Sequence, residues 1–212
     1  DVELCARMAK NGADLLNPGE KILTHCNTGG LATVGLGTAL GVVIQAHREA
    51  KRPHVYVDET RPLLQGGRLT TWELAKNEIP HTLLCDNMAA ALMQRGEVDR
   101  VLVGADRIAT NGDFANKVGT YGLAVLCRFH GVPFYVVAPQ TTIDENCAHG
   151  GDIPVEERAP FEVRGVRGAF GEVQWAAPTT EVWNPAFDVT PTNLISGIIT
   201  EKVFFNLQYK RH

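Results

Sequence analysis

The sequence lacks the features that mark several common classes of protein. Aromatic residues make up only 7% of its 212 residues and are not interleaved with basic residues, which argues against a stacking platform for single-stranded nucleic acid. The 20 Lys and Arg residues nearly balance the 24 Asp and Glu residues, so the net charge of -4 gives no cationic field for nucleic acid or an anionic membrane. No uncharged run approaches the roughly 20 apolar residues of a membrane span. We therefore expect neither a nucleic-acid partner nor a membrane partner.

Patterns typical of disulfide frameworks and metal centres are missing too. The five cysteines are odd in number, lie far apart in the chain and form no CxxC pair. The histidines show no HxH or HExxH spacing, and no GxxxxGK[ST] phosphate loop occurs. The first residues lack the basic and apolar blocks of a signal peptide. We expect reduced thiols, no metal, no cofactor and a cytoplasmic protein.

Short apolar runs that alternate with helical patterns predict the fold. The runs span residues 21–26, 55–58, 82–85, 101–104 and 134–137. Each run is apolar on both faces, which is typical of parallel strands covered on both sides. Residues 70–73 predict a capping box, residues 86–87 a cap for a helix over 88–95, and residues 193–199 a final helix. We expect an α/β fold with an open, mostly parallel Rossmann-like sheet and helices on both faces, in a single domain over residues 1–212.

Two ends of the predicted strands carry reactive side chains, and ligands of such sheets bind beyond the carboxyl ends of the strands. Cys26 precedes a Gly-rich turn whose N–H groups favour a thiolate, although a cysteine there is also typical of a small buried hydrophobic residue. His25 should point to the opposite face, which argues against a Cys–His nucleophile pair. Asp106 follows an apolar run, where loss of hydration raises the pKa of a carboxyl towards that of a general acid. A helix cap or an ion pair with Arg107 is the structural alternative for Asp106.

Three further side chains are candidates for holding a sugar or an anion. Residues 111–113 predict a tight turn, after which Asn116 and Lys117 should open a helix that reaches His130. An amide and an ammonium at a helix N-terminus form a phosphate clamp, whereas a solvated lysine is the ordinary alternative. Gln65 could hydrogen-bond a sugar hydroxyl or a phosphate oxygen, or could cap a helix.

The glycines at positions 35, 37 and 41 invite comparison with a dinucleotide-binding motif. Their spacing is GxGxxxG, and they begin nine residues after the first predicted strand. This pattern favours close packing of a helix on the sheet over dinucleotide binding.

Taken together, these segments resemble one enzyme family. The matching segments read THCNTG at 24–29, GTALG at 37–41, ETRP at 59–62, QG at 65–66, DNM at 86–88, VGADRI at 103–108, NGD at 111–113, NKVGTY at 116–121 and WNPAFDVTP at 183–191. They resemble the methylthioribose-1-phosphate isomerase family, within the superfamily of translation initiation factor 2B regulatory subunits. The resemblance covers nearly the whole chain. It implies an aldose–ketose isomerase that converts 5-methylthioribose 1-phosphate to 5-methylthioribulose 1-phosphate in methionine salvage.

The resemblance also implies roles for the candidate residues. Cys26 and Asp106 would be the catalytic pair, and Gln65, Asn116 and Lys117 would contact the small-molecule sugar phosphate. It implies a homodimer, and an N-terminal helical domain that supplies an Arg-Gly-Ala segment and a further Arg to the phosphate; we expect this chain to start after that domain.

Two alternatives stay open. One is a ribose-1,5-bisphosphate isomerase with a similar catalytic pair, and the other is a non-enzymatic regulatory relative that binds sugar phosphates or nucleotides. An apolar pocket around C5 of the sugar would suit a methylthio group, whereas a basic pocket would suit a second phosphate.

Overall fold

A seven-stranded sheet forms the centre of the protein, which a computed structural model describes over residues 1–169, 171–202 and 204–206. In spatial order the strands are Phe204–Asn206 (β13), Gly197–Ile199 (β12), Phe134–Val137 (β7), Arg100–Val103 (β4), Lys21–Thr24 (β1), His54–Asp58 (β2) and His81–Leu84 (β3). Neighbouring strands pair in parallel except for β13, which is antiparallel to β12. The predicted open, mostly parallel α/β sheet is therefore confirmed.

Helices pack on both faces of this sheet. They are Val2–Ala13 (α1), Ala39–Arg48 (α2), Thr71–Lys76 (α3), Ala89–Gln94 (α4) and Thr120–His130 (α5). A further short helix, Phe161–Arg164 (α6), contributes to neither of the two core clusters beside the sheet. Successive side chains of a strand point to opposite faces. Ile22 of β1 packs into the cluster that contains Met8 of α1 and Val42 of α2. Its neighbour Leu23 packs into the cluster that contains Leu123 of α5. Both β1 side chains are fully buried, and each such burial stabilises the fold by roughly 1.5–3 kcal/mol.

A second sheet carries residues that face the candidate site. Its strands, in spatial order, are Phe187–Thr190 (β11), Phe114–Lys117 (β6), Arg107–Ala109 (β5) and Ile143–Asp144 (β8). β5 and β6 are antiparallel, and residues 111–113 form the turn between them as predicted. Gly112 has a φ of 89°, which glycine adopts without a steric penalty. Strands Gly165–Gly168 (β9) and Gly171–Gln174 (β10) form a separate antiparallel hairpin.

Two helix predictions near the chain's middle and end need correction. The predicted helix over 193–199 is wrong: a 3-10 turn at Thr192–Leu194 leads into β12, whose residues pair with β7. The predicted helix over 88–95 is shorter, a 3-10 turn at Asp86–Met88 followed by α4. Asp86 does not cap it, because its two carboxylate oxygens accept hydrogen bonds from the backbone N–H groups of Thr60 and Arg61, both at 2.7 Å.

Gly37, two residues before α2, allows a close approach to a loop rather than to the sheet. Gly37 has a φ of 89°, and a Cβ at this position would lie 2.3 Å from the carbonyl oxygen of Thr28. The segment after β1 and the start of α2 are therefore packed backbone against backbone. Within the part of the chain that the structure describes, every helix is too short or too polar to cross a bilayer.

The strand order contains a switch point between β1 and β4. From β1 the chain adds β2 and β3 on one side, and β4, β7 and β12 extend the sheet on the other side. The loops that leave β1 and β4 therefore diverge and leave a crevice at their carboxyl ends, the usual ligand position in open α/β sheets.

Candidate active site

Cys26 and Asp106 follow the two strands that flank the crevice. Cys26 comes two residues after β1 and Asp106 three residues after β4. The strands are in register at Thr24 and Leu102, and the Thr24 hydroxyl donates a hydrogen bond of 2.8 Å to the Leu102 carbonyl. This bond fixes the two strand ends, so the two reactive groups open into one space.

That space is a cavity of about 470 Å³. Three of the sequence-predicted site residues line it: Cys26, Asp106 and Asn116. Apolar side chains that also line it are Leu4, Cys5, Met8, Val34 and Ala138. None of its described lining residues is Lys or Arg. The cavity thus combines a thiol, a carboxyl and an amide with an apolar wall contributed largely by α1.

The backbone of Cys26 is held in an unusual conformation. Its φ is 65°, in the left-handed region, where a residue other than glycine costs of order 1–3 kcal/mol. The Cys26 N–H donates to the hydroxyl of Thr60 at 2.8 Å, and its carbonyl accepts from the hydroxyl of Thr70 at 2.7 Å. Hydrogen bonds on both sides of the residue therefore hold the turn that places the sulfur in the cavity.

Glu73 anchors the loop that follows Cys26. Its buried carboxylate accepts hydrogen bonds from the side-chain amide of Asn27 at 3.0 Å and from the Gly30 N–H at 2.8 Å. The predicted capping box over 70–73 is therefore wrong. Thr70 already has helical backbone angles at the end of a π-helical turn, Gly66–Thr70, and both side chains serve the Cys26 loop instead of the helix end.

Burial keeps the Cys26 thiol protonated. Loss of hydration raises the pKa of Cys26, and the nearby Asp106 carboxyl adds to this; the Asn27 N–H and the Lys117 ammonium act in the opposite direction but do not outweigh burial. The N–H donors predicted to favour a thiolate are present, yet that prediction is wrong in its net direction. Burial thus favours the neutral thiol over the thiolate at Cys26.

The Asp106 carboxyl has the raised pKa that the sequence predicts. Burial raises the pKa of Asp106, and the Lys117 ammonium partly opposes it. The side chain remains reachable from the cavity, since Asp106 is one of its exposed lining residues. Neither structural alternative holds: Arg107 pairs with Asp144 at 3.0 Å, and the residues after Asp106 form a strand, β5, instead of a helix.

Asn116 and Lys117 lie in a strand, so the prediction that they open a helix is wrong. Both belong to β6, paired with β11, and α5 begins only after Gly119, whose φ of 108° breaks the strand. Asn116 donates to the hydroxyl of Thr120 at 2.9 Å. The buried ammonium of Lys117 donates to the Ala186 carbonyl at 2.9 Å. Its charge still acts on Cys26 and Asp106, because it opposes the rise in both pKa values.

Gln65 is separate from this group. It does not belong to the described lining of the cavity, and its side-chain oxygen is buried without a hydrogen-bond partner. It immediately precedes the π-helical turn but makes no side-chain capping bond there. The structure therefore brings together Cys26, Asp106 and Asn116, with Lys117 behind them, and leaves Gln65 outside the cavity wall.

Several residues that support the site were missed in the sequence. Thr60, Thr70 and Glu73 hold the Cys26 loop, and a cluster of His25, Asp58 and Asp86 lies beneath it, with ligand-type atoms within 4.8 Å of one another. They lie on different strands and loops, so their spacing in the chain gives no signal. The one local signal is Asp58, a carboxylate at the end of the apolar strand sequence VYVDE, where a charged residue that becomes buried needs a partner.

A mostly parallel sheet with helices on both faces and a cavity at its switch point defines the class, an open α/β protein, and sequence comparison gives the family. The profile of the initiation factor 2 subunit family matches residues 1–206. The chain belongs to that family.

Named relatives within and beyond bacteria share most of the chain. It is 62% identical over 201 residues to a methylthioribose-1-phosphate isomerase of Cronobacter sakazakii. This match covers 95% of this chain and 59% of the relative. A crystal structure of 5-methylthioribose 1-phosphate isomerase from Pyrococcus horikoshii superposes with a TM-score of 0.90 at 50% identity, covering 100% of this chain and 58% of that one. The structure of the translation initiation factor eIF-2B subunit delta from A. fulgidus gives a TM-score of 0.92 at 44% identity, covering 99% and 60%. The chain thus spans about three fifths of the length of these relatives.

Proposed function

We propose that the protein is an aldose–ketose isomerase that converts 5-methylthioribose 1-phosphate to 5-methylthioribulose 1-phosphate. The observation that carries the proposal is the meeting of the Cys26 thiol and the Asp106 carboxyl over one cavity with a largely apolar wall. The 62% identity to a protein named for this reaction supports it.

The substrate needs an acid to open its ring. Its anomeric oxygen carries the phosphate, so the ring cannot open by loss of an anomeric hydroxyl proton. Burial raises the pKa of Asp106, so this carboxyl holds a proton more readily than an ordinary carboxyl and can give it to the ring oxygen as the bond to C1 breaks. The carboxylate left on Asp106 is then ready to take a proton back.

The neutral thiol favours a hydride route for the next step. After ring opening, hydride moves from C2 to the electron-poor C1, and the 2-hydroxyl gives its proton to Asp106, which leaves a ketone at C2 and regenerates the acid. The alternative, removal of the C2 proton by Cys26, requires a thiolate that burial disfavours. In the hydride route the Cys26 sulfur lines the path and excludes water from the cationic intermediate.

The cavity lining favours methylthioribose over ribose 1,5-bisphosphate. A second phosphate, at C5, would need a cationic donor in addition to the one that holds the C1 phosphate, and the described lining holds none. Leu4 instead offers an apolar surface for a methylthio group, and the more deeply buried Cys5 and Met8 also border the cavity. For the single phosphate at C1 we propose Lys117 and Asn116, since the Lys117 ammonium acts on both reactive groups and Asn116 lines the cavity.

A binding-only relative of the initiation factor subunits is the second candidate, favoured by the fold match to eIF-2B subunit delta. The two readings differ in whether the chain turns over substrate. We expect ³¹P NMR to follow formation of the ketose phosphate from methylthioribose 1-phosphate, with ribose 1,5-bisphosphate converted much more slowly. Substrate deuterated at C2 should keep its deuterium at C1, and loss of the label to water would support the thiolate route.

A pair of cysteine-to-serine variants, one at the cavity and one away from it, tests the role of Cys26. Cys26→Ser should lower turnover strongly, whereas Cys85→Ser, at an exposed thiol outside the cavity, should not. Binding of methylthioribose 1-phosphate without turnover would favour the regulatory reading. Faster turnover of the bisphosphate would replace the proposed substrate.

A further inference from the structure

The His25 side chain is completely buried and both of its ring nitrogens face oxygen atoms. Nδ1 lies 3.0 Å from Oδ2 of Asp58, and Nε2 lies 2.8 Å from the carbonyl oxygen of Val118. A carbonyl can only accept, so Nε2 carries a proton. At Nδ1 the partner is a carboxylate, which also accepts when it is ionised.

The surrounding charges favour a second proton on the ring. His25 interacts electrostatically with three carboxyl groups, those of Asp58 on β2, Asp86 after β3 and Asp188 on β11. Asp86 accepts two backbone N–H groups, and Asp188 accepts those of Gly119 and Tyr121 at 2.7 and 3.0 Å. Burial raises the pKa of Asp58 and of Asp188, and the charge of His25 opposes this rise at both carboxyls.

The same groups could in principle hold a metal ion, but the contacts favour a proton. Both oxygens of Asp86 are occupied by backbone donors, and Nδ1 of His25 is at direct hydrogen-bond distance from Asp58. Burial alone lowers the pKa of His25, yet its hydrogen bond to Asp58 and the charges of Asp58 and Asp86 outweigh burial and raise that pKa overall.

The ring also joins the two halves of the site. His25 directly precedes Cys26, and Val118 directly follows Lys117. Asp58 completes the link, since its carbonyl accepts from the Thr60 hydroxyl that in turn accepts the Cys26 N–H. A Cβ on Gly119 would lie 2.8 Å from Cε1 of His25, so this glycine leaves the room that the ring needs.

We propose that His25 is a positioning residue, an imidazolium held between Asp58 and the Val118 carbonyl that fixes the Cys26 turn against the strand end bearing Asn116 and Lys117. The catalytic consequence rests on the proposed isomerase function. The charge state and the linking role do not, and they are tested separately.

The charge state is tested by long-range ¹H–¹⁵N NMR of the histidine rings at pH 8. The His25 signal is assigned by its absence from the spectrum of His25→Gln. We expect both ring nitrogens of His25 to carry protons and to have nearly equal shifts. A ring with one bare nitrogen, or a spectrum that changes when EDTA is added, would overturn the proposal.

The linking role is tested by hydrogen exchange of the Cys26 amide. His25→Gln cannot donate to both partners, and a lost hydrogen bond to a charged group should speed exchange by about tenfold or more. The matched control is His54→Gln, because His54 lies on β2 and bonds only the Thr82 hydroxyl among the contacts described. Equal exchange in His25→Gln and the wild type would refute the link even if the chain showed no isomerase activity.

The catalytic consequence has its own readout. Asp58→Asn keeps the shape of the site but removes the counter-charge, so we expect kcat to fall by roughly 100-fold at pH 8 with a far smaller change in KM. As the pH falls and His25 regains its proton, kcat of Asp58→Asn should recover more steeply than kcat of the wild type, which changes only through the protonation of Asp106. Loss of kcat without that recovery would indicate a purely structural role.

Discussion

Replacing Glu73 by alanine tests how the Cys26 loop is held. The Glu73 carboxylate accepts three hydrogen bonds from that loop: from Asn27 at 3.0 Å, from Gly30 at 2.8 Å and, weakly, from Leu31 at 3.4 Å. Asn27 is buried, so its amide cannot turn to water when the carboxylate is removed. Leu31 is exposed, and its N–H can be rehydrated at little cost.

The expected magnitude follows from the two strong bonds. A hydrogen bond to a charged group contributes about 1.5–3 kcal/mol, so two of them, one partly rehydrated, give a loss of about 3 kcal/mol in the free energy of unfolding. Urea denaturation followed by circular dichroism measures this loss as a lower midpoint at an unchanged slope. We also expect slower turnover, because the loop that follows Cys26 is no longer held by Glu73 and the Cys26 sulfur is then less firmly positioned.

The control is Glu145→Ala, an exposed carboxylate away from the cavity, which should change the free energy of unfolding by less than about 0.5 kcal/mol. If Glu73→Ala lost no more than this control, the loop would be held by backbone packing alone. The role assigned to Glu73 would then be incorrect.

Three further predictions concern the cavity. Because burial raises the pKa of Cys26, its alkylation by iodoacetamide in a Cys85→Ser background should reach half its maximal rate above the pH of about 8.5 typical of a free thiol, and a midpoint below 8 would contradict the neutral thiol. Lys117→Met should raise KM for the sugar phosphate by about tenfold or more with a smaller change in kcat, and an unchanged KM would remove Lys117 from phosphate binding. Leu4→Arg, at the cavity wall, should weaken binding of methylthioribose 1-phosphate relative to ribose 1,5-bisphosphate in a competition assay; the opposite order would show that this wall does not face C5.

The sheet could be predicted from the sequence because its strands are short, apolar on both faces and regularly spaced. That pattern reflects burial on both sides, which local composition records directly. Cys26 and Asp106 could be found for the same reason, since Cys26 ends one such run and Asp106 follows another by two residues. The switch point itself, which makes their strands neighbours, depends on the order of strands in space and is not written in any one segment.

The errors arise where a distant partner decides the local structure. Residues 193–199 have a helix-like apolar pattern, but pairing with β7 makes Gly197–Ile199 a strand. Asn116 and Lys117 pair with β11, so α5 begins only after Gly119. Glu73 matches a capping box in sequence, yet its carboxylate accepts hydrogen bonds from three donors in the Cys26 loop instead.

The direction of the Cys26 pKa shift was also beyond local reasoning. The N–H donor at the strand end is real, but the degree of burial depends on α1, Asp106 and the packed loop together. Donors and burial act in opposite directions, and only the assembled cavity decides which is larger.

The most direct test of the account is the turnover of Asp106→Asn beside the wild type under single-turnover conditions. The amide keeps the size of the carboxyl but cannot give a proton to the ring oxygen. We expect the rate of ketose formation to fall by roughly 10²–10⁴-fold while substrate binding and the unfolding midpoint stay near those of the wild type. A rate close to that of the wild type, with the variant folded, would contradict acid catalysis by Asp106 and with it the proposed mechanism.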